Sequence, residues 1–213
     1  MTAVTFALPE ESRDFRRRLA TSACVAQVRV SHSGAGPAAA AQHIARVLAE
    51  RPEFIIATGF AGGLDPALRV GEVVVARNYS SPELIARAGG VASGAFAHAD
   101  LPVESVADKA ALTRATGCVA VDMESQPIAT ACAHAGVPLL VVRVISDPAG
   151  EPLPVPFAEW FDLTRQRPRP ARLAVWLARH PARIAPFYRF VRGLGPARRA
   201  LADFLLRFLT DGR

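Results

Sequence analysis

The chain has 213 residues, of which 51% are hydrophobic, 21% charged and 7% aromatic. That balance supplies one buried core and excludes a disordered chain, a collagen-like repeat and a disulfide scaffold. The net charge of +6 is unevenly spread: residues 165–213 hold twelve arginines against Asp203 and Asp211, whereas residues 1–164 hold thirteen basic and seventeen acidic side chains. A basic tail of this kind attracts nucleic acid, anionic lipid or acidic partners, and its sign alone selects none of them. Cys24, Cys118 and Cys132 are scattered without a C-x-x-C spacing, which suits a reducing compartment and no cysteine-based metal framework. The N-terminus lacks a long apolar core behind a basic start, and the best apolar run, Val137 to Val142, is cut by Arg143. No signal peptide or membrane span is therefore expected, and the expected location is the cytoplasm.

In chain order, strands are expected at Val4–Leu8, Ala23–Val30, Phe54–Thr58, Glu72–Ala76, Cys118–Val121 and Leu139–Ile145, all rich in valine or isoleucine and bounded by turns. Helices are expected between them at Glu11–Ala20, Pro37–Arg51, Asp108–Thr116 and Met123–Ala135. Pro37 suits a first helical turn, and Gly136 followed by Pro138 ends a helix. Strand–helix alternation implies a mainly parallel sheet covered on both faces, an α/β sandwich. Gly89–Ala99 reads as a small loop, and Pro148–Pro156 as a proline-rich connector closing the body. The expected division is a catalytic domain over 1–157 and a basic helical extension over 158–213. In that extension Leu201, Leu205 and Phe208 share one helical stripe, with Phe204 and Leu209 alongside.

Ligand sites in such sheets lie at the carboxyl ends of strands, and four motifs fall there. Ser33-Gly34-Ala35-Gly36-Pro37-Ala38-Ala39 satisfies G-x-G-x-x-A, but Thr58-Gly59 occupies the far end of the next strand, where a dinucleotide site needs an acidic residue. The glycines then read as a tight strand-to-helix turn. Thr58-Gly59-Phe60-Ala61-Gly62-Gly63-Leu64 brings backbone close to a ligand or merely connects two strands. Asp122-Met123-Glu124-Ser125 and Arg143-Val144-Ile145-Ser146-Asp147 each put carboxylates directly after an apolar run. Asp122 reads as a helix cap or a salt-bridge partner. Two such sites beside an early Glu10-Glu11 exceed what capping alone accounts for. The histidines lack metal-ligand spacing, and His32 reads as a satisfied structural residue.

Together with Ala7-Leu8-Pro9-Glu10-Glu11 and Val70-Gly71-Glu72, these motifs resemble the nucleoside phosphorylase and nucleosidase superfamily over Val4 to about Phe157. The resemblance is strongest to nucleosidases that cleave methylthioadenosine and adenosylhomocysteine. Size and tail are similar to the branch associated with hopanoid synthesis, thought to release adenine from adenosylhopane. It implies a three-layer fold with a mixed, mainly parallel sheet and no cofactor, phosphate being a co-substrate if the enzyme is a phosphorylase. Asp147 then matches the acid that protonates purine N7, raised in pKa by its apolar setting, and Glu124 the carboxylate that grips the ribose hydroxyls and steadies an oxocarbenium-like sugar. Met123 would pack under the ribose, Ala61 and Gly62 line the base, Glu11 polarise the water, and Arg143 orient the nucleophile side. Val106 marks the base-stacking neighbourhood, and Phe157 is counted among the substrate-binding residues.

Departures from the family are informative. Phe60 stands where the nucleosidases usually carry a serine that helps hold the water. Ala35 is small where they carry a larger aliphatic residue, and the segment from Asn78 to Val103 is short, so an open 5′ side suited to a bulky substituent is expected. Glu11 at the nucleophile side favours water over a phosphate dianion, although Arg13 or Arg143 could reach a phosphate. The expected partner is a small-molecule nucleoside, lipid-linked in the hopanoid reading, with the tail placing the chain peripherally on the inner face of an anionic membrane through Trp176, Phe187, Tyr188, Phe190 and the Leu201–Leu209 stripe. The alternative is that these aromatic and leucine positions pack on the body. No nucleic-acid motif accompanies the arginines, a homo-oligomer is compatible with the family, and a non-catalytic nucleoside-binding protein of the same fold is the rival from another class.

Overall fold

A computed structural model describes residues 1–210. In chain order it contains β1 (Thr2–Phe6), α1 (Pro9–Leu19), β2 (Val28–His32), α2 (Pro37–Ala49), β3 (Phe54–Gly63), β4 (Val73–Ala76), α3 (Pro82–Arg87), β5 (Ala92–Gly94) and β6 (Phe96–His98). There follow α4 (Val106–Thr116), β7 (Ala120–Asp122), α5 (Ser125–Ala135), β8 (Leu139–Asp147), α6 (Phe157–Trp160), the short pair β9 (Phe161–Asp162) and β10 (Arg167–Pro168), α7 (Pro170–Arg179) and α8 (Ile184–Thr210). The main sheet runs β2-β1-β3-β8-β4-β5, with β7 pairing the end of β3 and β6 pairing β7. The β1–β2, β1–β3, β3–β8, β4–β5 and β6–β7 pairs are parallel, whereas β4–β8 and β3–β7 are antiparallel. This is the expected mixed, mainly parallel sheet between two helical layers.

Every residue of β8 is buried, as a central strand covered on both faces requires. On one face Ile44, Val47, Ile128 and Cys132 of α2 and α5 pack on Ile55, Val141 and Ile145. On the other, Phe15 and Leu19 of α1 join Leu201, Phe204, Leu205 and Phe208 of α8 over Val4, Ile56 and Val142. The second half of α8 is thus a core helix: the leucine and phenylalanine stripe covers the sheet. Arg87 fastens it further, its guanidinium 4.2 Å from the Phe208 ring centroid, and Arg18–Asp203 (2.5 Å) and Arg198–Asp14 (3.3 Å) tie it to α1.

Several expected boundaries shift for physical reasons. Ala23–Val30 was expected to be a strand, but Val25–Gln27 is a 3-10 turn and the strand begins at Val28. β3 continues through the glycines to Gly63, because its partners β8 and β7 supply hydrogen bonds that glycine's weak strand preference does not reveal. A register shift between Ala61 and Gly62 sets Gly62 opposite Asp147. The Gly89–Ala99 stretch forms β5 and β6 instead of a loop. Met123 and Glu124 precede α5 instead of lying within it, so their side chains sit at the sheet edge.

Candidate active site

Glu11 lies in the first turn of α1, where its side chain folds back on the incoming backbone. Its Oε2 accepts the N–H groups of Ala7 and Leu8, both at 3.0 Å, and its Oε1 that of Phe60 at 3.4 Å. Burial pushes its pKa up, while these amides and the Arg143 charge oppose the rise. Close approach is possible because position 59 has no side chain: at φ +147° a Cβ on Gly59 would come within 2.9 Å of both Glu11 Oε2 and Arg143 Nη1.

Glu124 is the residue on which α5 opens. Its Oε1 accepts the Gly36 N–H at 2.7 Å, and Gly36 adopts φ +92°, a conformation that favours glycine. Burial raises the carboxyl to about 7 against the Arg143 charge, with Asp122 adding to the rise. Arg143 itself lies beneath, fully buried: Nη2 stands 2.6 Å from Asp122 Oδ2, 3.2 Å from Ser125 Oγ and 3.9 Å from Glu124 Oε2. Asp122 is the salt-bridge partner of Arg143 and also accepts from the Ser125 backbone N–H and hydroxyl, while Glu124 is the residue at the N-cap position.

Asp147 ends β8. Its Oδ1 accepts the Ser146 hydroxyl at 2.6 Å and its Oδ2 the Lys109 ammonium at 2.5 Å. Desolvation is the largest influence on it and raises its pKa, with Lys109 the chief opposing charge. The apolar strand end accounts for the rise, but the lysine was not foreseen. Lys109 is the chain's only lysine, and that rarity is the one sequence signal that marks it.

One cavity of about 470 Å³ joins these groups. Glu11, Glu124 and Asp147 line it, as do Met123, Phe60, Ala61 and Gly62. Ala35 and Phe157 line it too. Two expected residues do not. Val106 is 39% exposed at the start of α4, and it is Val103 that lines the cavity. Arg143 supports the acidic cluster from below instead of opening into the space. His32 is satisfied by Ser12, Nε2 to Oγ 2.8 Å, as a structural histidine.

The extension beyond residue 157 adds Trp160, Phe161, Pro168, Phe190 and Leu194 to an apolar part of the wall, while Glu10, Asp122, Ser146 and Arg198 are polar lining residues elsewhere. Phe157, Trp160 and Phe161 form an aromatic cluster with centroid separations of 4.5 to 5.9 Å, facing Leu101, Leu153, Phe190 and Leu194. Phe190, for which membrane contact and packing on the body were both open, lines the cavity. Gln166 clamps the turn below, its Oε1 accepting the Ala35 N–H and its Nε2 donating to the Ala35 carbonyl, both at 2.8 Å. Nothing local in the sequence marks Trp160, Phe161, Leu194 or Gln166; the fold of the extension brings them there. Among the described residues, no group of three or more His, Cys, Asp or Glu side chains is arranged to hold a metal ion.

The chain is similar to a 5′-methylthioadenosine/S-adenosylhomocysteine nucleosidase of Geobacillus kaustophilus, at 31% identity over 147 residues. That match covers 53% of this chain and 63% of the relative, less than two thirds of the relative's length. In fold it is similar to a Helicobacter pylori futalosine hydrolase, with a TM-score of 0.71, 19% identity and coverage of 100% of this chain and 97% of that one. It is also similar to a variant Helicobacter pylori nucleosidase with 5′-methylthioadenosine in its active site, with a TM-score of 0.73, 18% identity and coverage of 99% and 98%. A family model described as "Phosphorylase superfamily" matches residues 7–90 and 78–174, a span that contains Glu11, Glu124 and Asp147, and the chain belongs to that superfamily.

Proposed function

We propose that the chain is a purine nucleosidase, hydrolysing the N-ribosidic bond of an adenosine-type nucleoside with a bulky apolar 5′ group and releasing adenine. The observation that carries this reading is that Asp147 and Glu124 open into one cavity whose far wall is aromatic. The base faces Asp147, which gives its proton to N7 as the bond electrons pass to the purine. Glu124, ionised, takes the ribose hydroxyls and stabilises positive charge developing at C1′. Water held by Glu11 adds to C1′ and gives up its proton there. Phe60 supplies no hydroxyl, so the water is assigned to the Glu11 carboxylate alone.

The 5′ substituent extends toward Phe157, Trp160, Phe190 and Leu194. In this reading the extension supplies an apolar wall at the 5′ end, where the small Ala35 and the short loop had suggested room for a bulky substituent, and that wall suits a hydrocarbon group such as a triterpenoid. That is the support for an adenosylhopane-like substrate and a place in hopanoid synthesis. Phosphorolysis is the second reading. It is disfavoured because Arg198 is the one cation among the described residues lining the cavity, and Asp14 already pairs it at 3.3 Å. Incubation of 5′-substituted adenosines with and without phosphate is expected to release adenine in both cases, fastest with large apolar 5′ groups. Strict phosphate dependence contradicts hydrolysis, and tight binding without release supports a non-catalytic carrier.

A lipid-linked substrate fits a membrane-facing mouth. Ile184, Tyr188 and Val191 are spaced as one helical stripe and are 49%, 60% and 46% exposed, on the same half-helix whose Phe190 and Leu194 line the cavity. Arg183, Arg189 and Arg192 flank them, as suits an anionic surface. The full chain is expected to co-sediment with vesicles containing phosphatidylglycerol, and a variant carrying Ile184→Ser, Tyr188→Ser and Val191→Ser is expected to lose that binding. Equal, negligible binding by both contradicts membrane docking.

A further inference from the structure

Lys109 lies on α4, outside every motif that the reaction uses, yet only 1% of it is exposed. Its ammonium donates to three oxygens of one loop: Asp147 Oδ2 at 2.5 Å and the carbonyls of Pro148 and Glu151, both at 2.9 Å. Those are all three of its N–H bonds, converging on the acid and the four residues after it. A lysine suits this task where arginine does not. A compact ammonium satisfies three oxygens arranged around a point, whereas a planar guanidinium presents a fork suited to a carboxylate side-on. The chain otherwise uses arginine for every one of its fixed cations, so the single lysine stands where the geometry demands that shape.

We propose that Lys109 is a positioning residue for the reaction, holding Asp147 toward the base and stabilising the carboxylate left when its proton is given up. This rests on the reading of Asp147 as the proton donor. During the step the proton leaves Asp147 for N7, the C1′–N9 bond breaks with its electron pair passing to the purine, and Lys109 keeps all three of its own protons. A carboxyl shut in apolar surroundings holds its proton too firmly to be a good acid, because the anion it would leave is unsolvated. A buried cation in contact with that anion corrects this. The charged and polar groups facing Asp147 are Lys109 from α4, the Ser146 hydroxyl beside it and the Glu151 charge from the following loop. Lys109 and Ser146 favour the anion and Glu151 disfavours it, so removing the ammonium leaves desolvation largely unopposed.

The test is the pH dependence of kcat/KM on a purine nucleoside for the wild type, Lys109→Met and Lys109→Arg, each repeated with 4-nitrophenyl riboside. That riboside's leaving group departs as a stable anion and needs no proton. Lys109→Met is expected to move the alkaline limb upward by about one pH unit or more, as the acid keeps its proton longer. Its plateau kcat is expected to fall about 10- to 100-fold with KM little changed. Its loss on 4-nitrophenyl riboside is expected to be at least about tenfold smaller than its loss on the nucleoside. Lys109→Arg, which keeps the charge, holds the limb near its wild-type position. If the Met variant does not fold, Lys109→Gln, with donors but no charge, makes the same comparison. An unmoved limb in a folded neutral variant, or equal losses on both substrates, overturns the proposal and reduces Lys109 to a loop anchor. A wild-type protein that releases no purine overturns the nucleosidase reading itself, so the two failures are distinct.

Discussion

Asp147→Asn is expected to cut purine release by about 10³-fold while nucleoside binding stays within a few-fold of wild type. The amide preserves the shape at the end of β8 and still accepts from Lys109 at the position of Oδ2. In the proposed mechanism what it lacks is an acidic proton to give to N7, so the loss falls on kcat. Calorimetry of the intact nucleoside on the variant, beside single-turnover release, separates the two quantities. Release within about tenfold of wild type would mean that another group, or solvent, protonates the base.

Glu124→Gln is expected to lose activity and gain stability together. In the proposed reaction Glu124 is ionised to draw the ribose hydroxyls and face a cationic sugar, and its pKa is about 7. Below that pH the carboxyl takes up a proton, so the acidic limb of kcat/KM centres near 7 for the wild type and is missing in the variant, whose rate falls about 10²- to 10³-fold. The stability effect runs the other way. A carboxyl near 4.5 when unfolded and near 7 when folded makes the folded state less favourable as pH rises through that window. Above pH 7 the neutral amide removes a cost on the order of a few kcal/mol, since each pKa unit is worth about 1.4 kcal/mol. The variant is therefore expected to melt several degrees above wild type at pH 8 and close to it near pH 4.5. Equal melting temperatures at pH 8 would show that the Arg143 charge already compensates Glu124 in full.

The parts of this site that were legible in the sequence are those set by local order along the chain. An apolar run followed by a carboxylate, at Val121 to Glu124 and at Ile145 to Asp147, places an acidic side chain at a sheet edge whatever the tertiary details. The glycines at 59 and 62 were readable as places of close backbone approach, and the strand–helix alternation carried the sheet class. Legibility stopped where distant segments meet. Lys109 reaches Asp147 across 38 positions, and Gln166 reaches Ala35 across 131. The continuation of β3 through Gly59, Gly62 and Gly63 depends on partners β7 and β8, against the residues' own preference. The extension shows the same limit within a single helix. Arginine-rich amphipathic sequence looks alike whether it covers a core or faces outward, and α8 does both: Leu205 is buried against the sheet while Tyr188 is exposed.

Bond cleavage by water in this cavity is tested most directly by incubating the wild-type chain with a 5′-substituted adenosine in phosphate-free, ¹⁸O-enriched water. The prediction is free adenine in equal amount with a sugar carrying ¹⁸O at C1, both formed about 10³-fold more slowly by Asp147→Asn. Intact nucleoside after prolonged incubation, or adenine released only when phosphate is restored, would contradict the assignment of Asp147, Glu124 and Glu11 to a hydrolytic site.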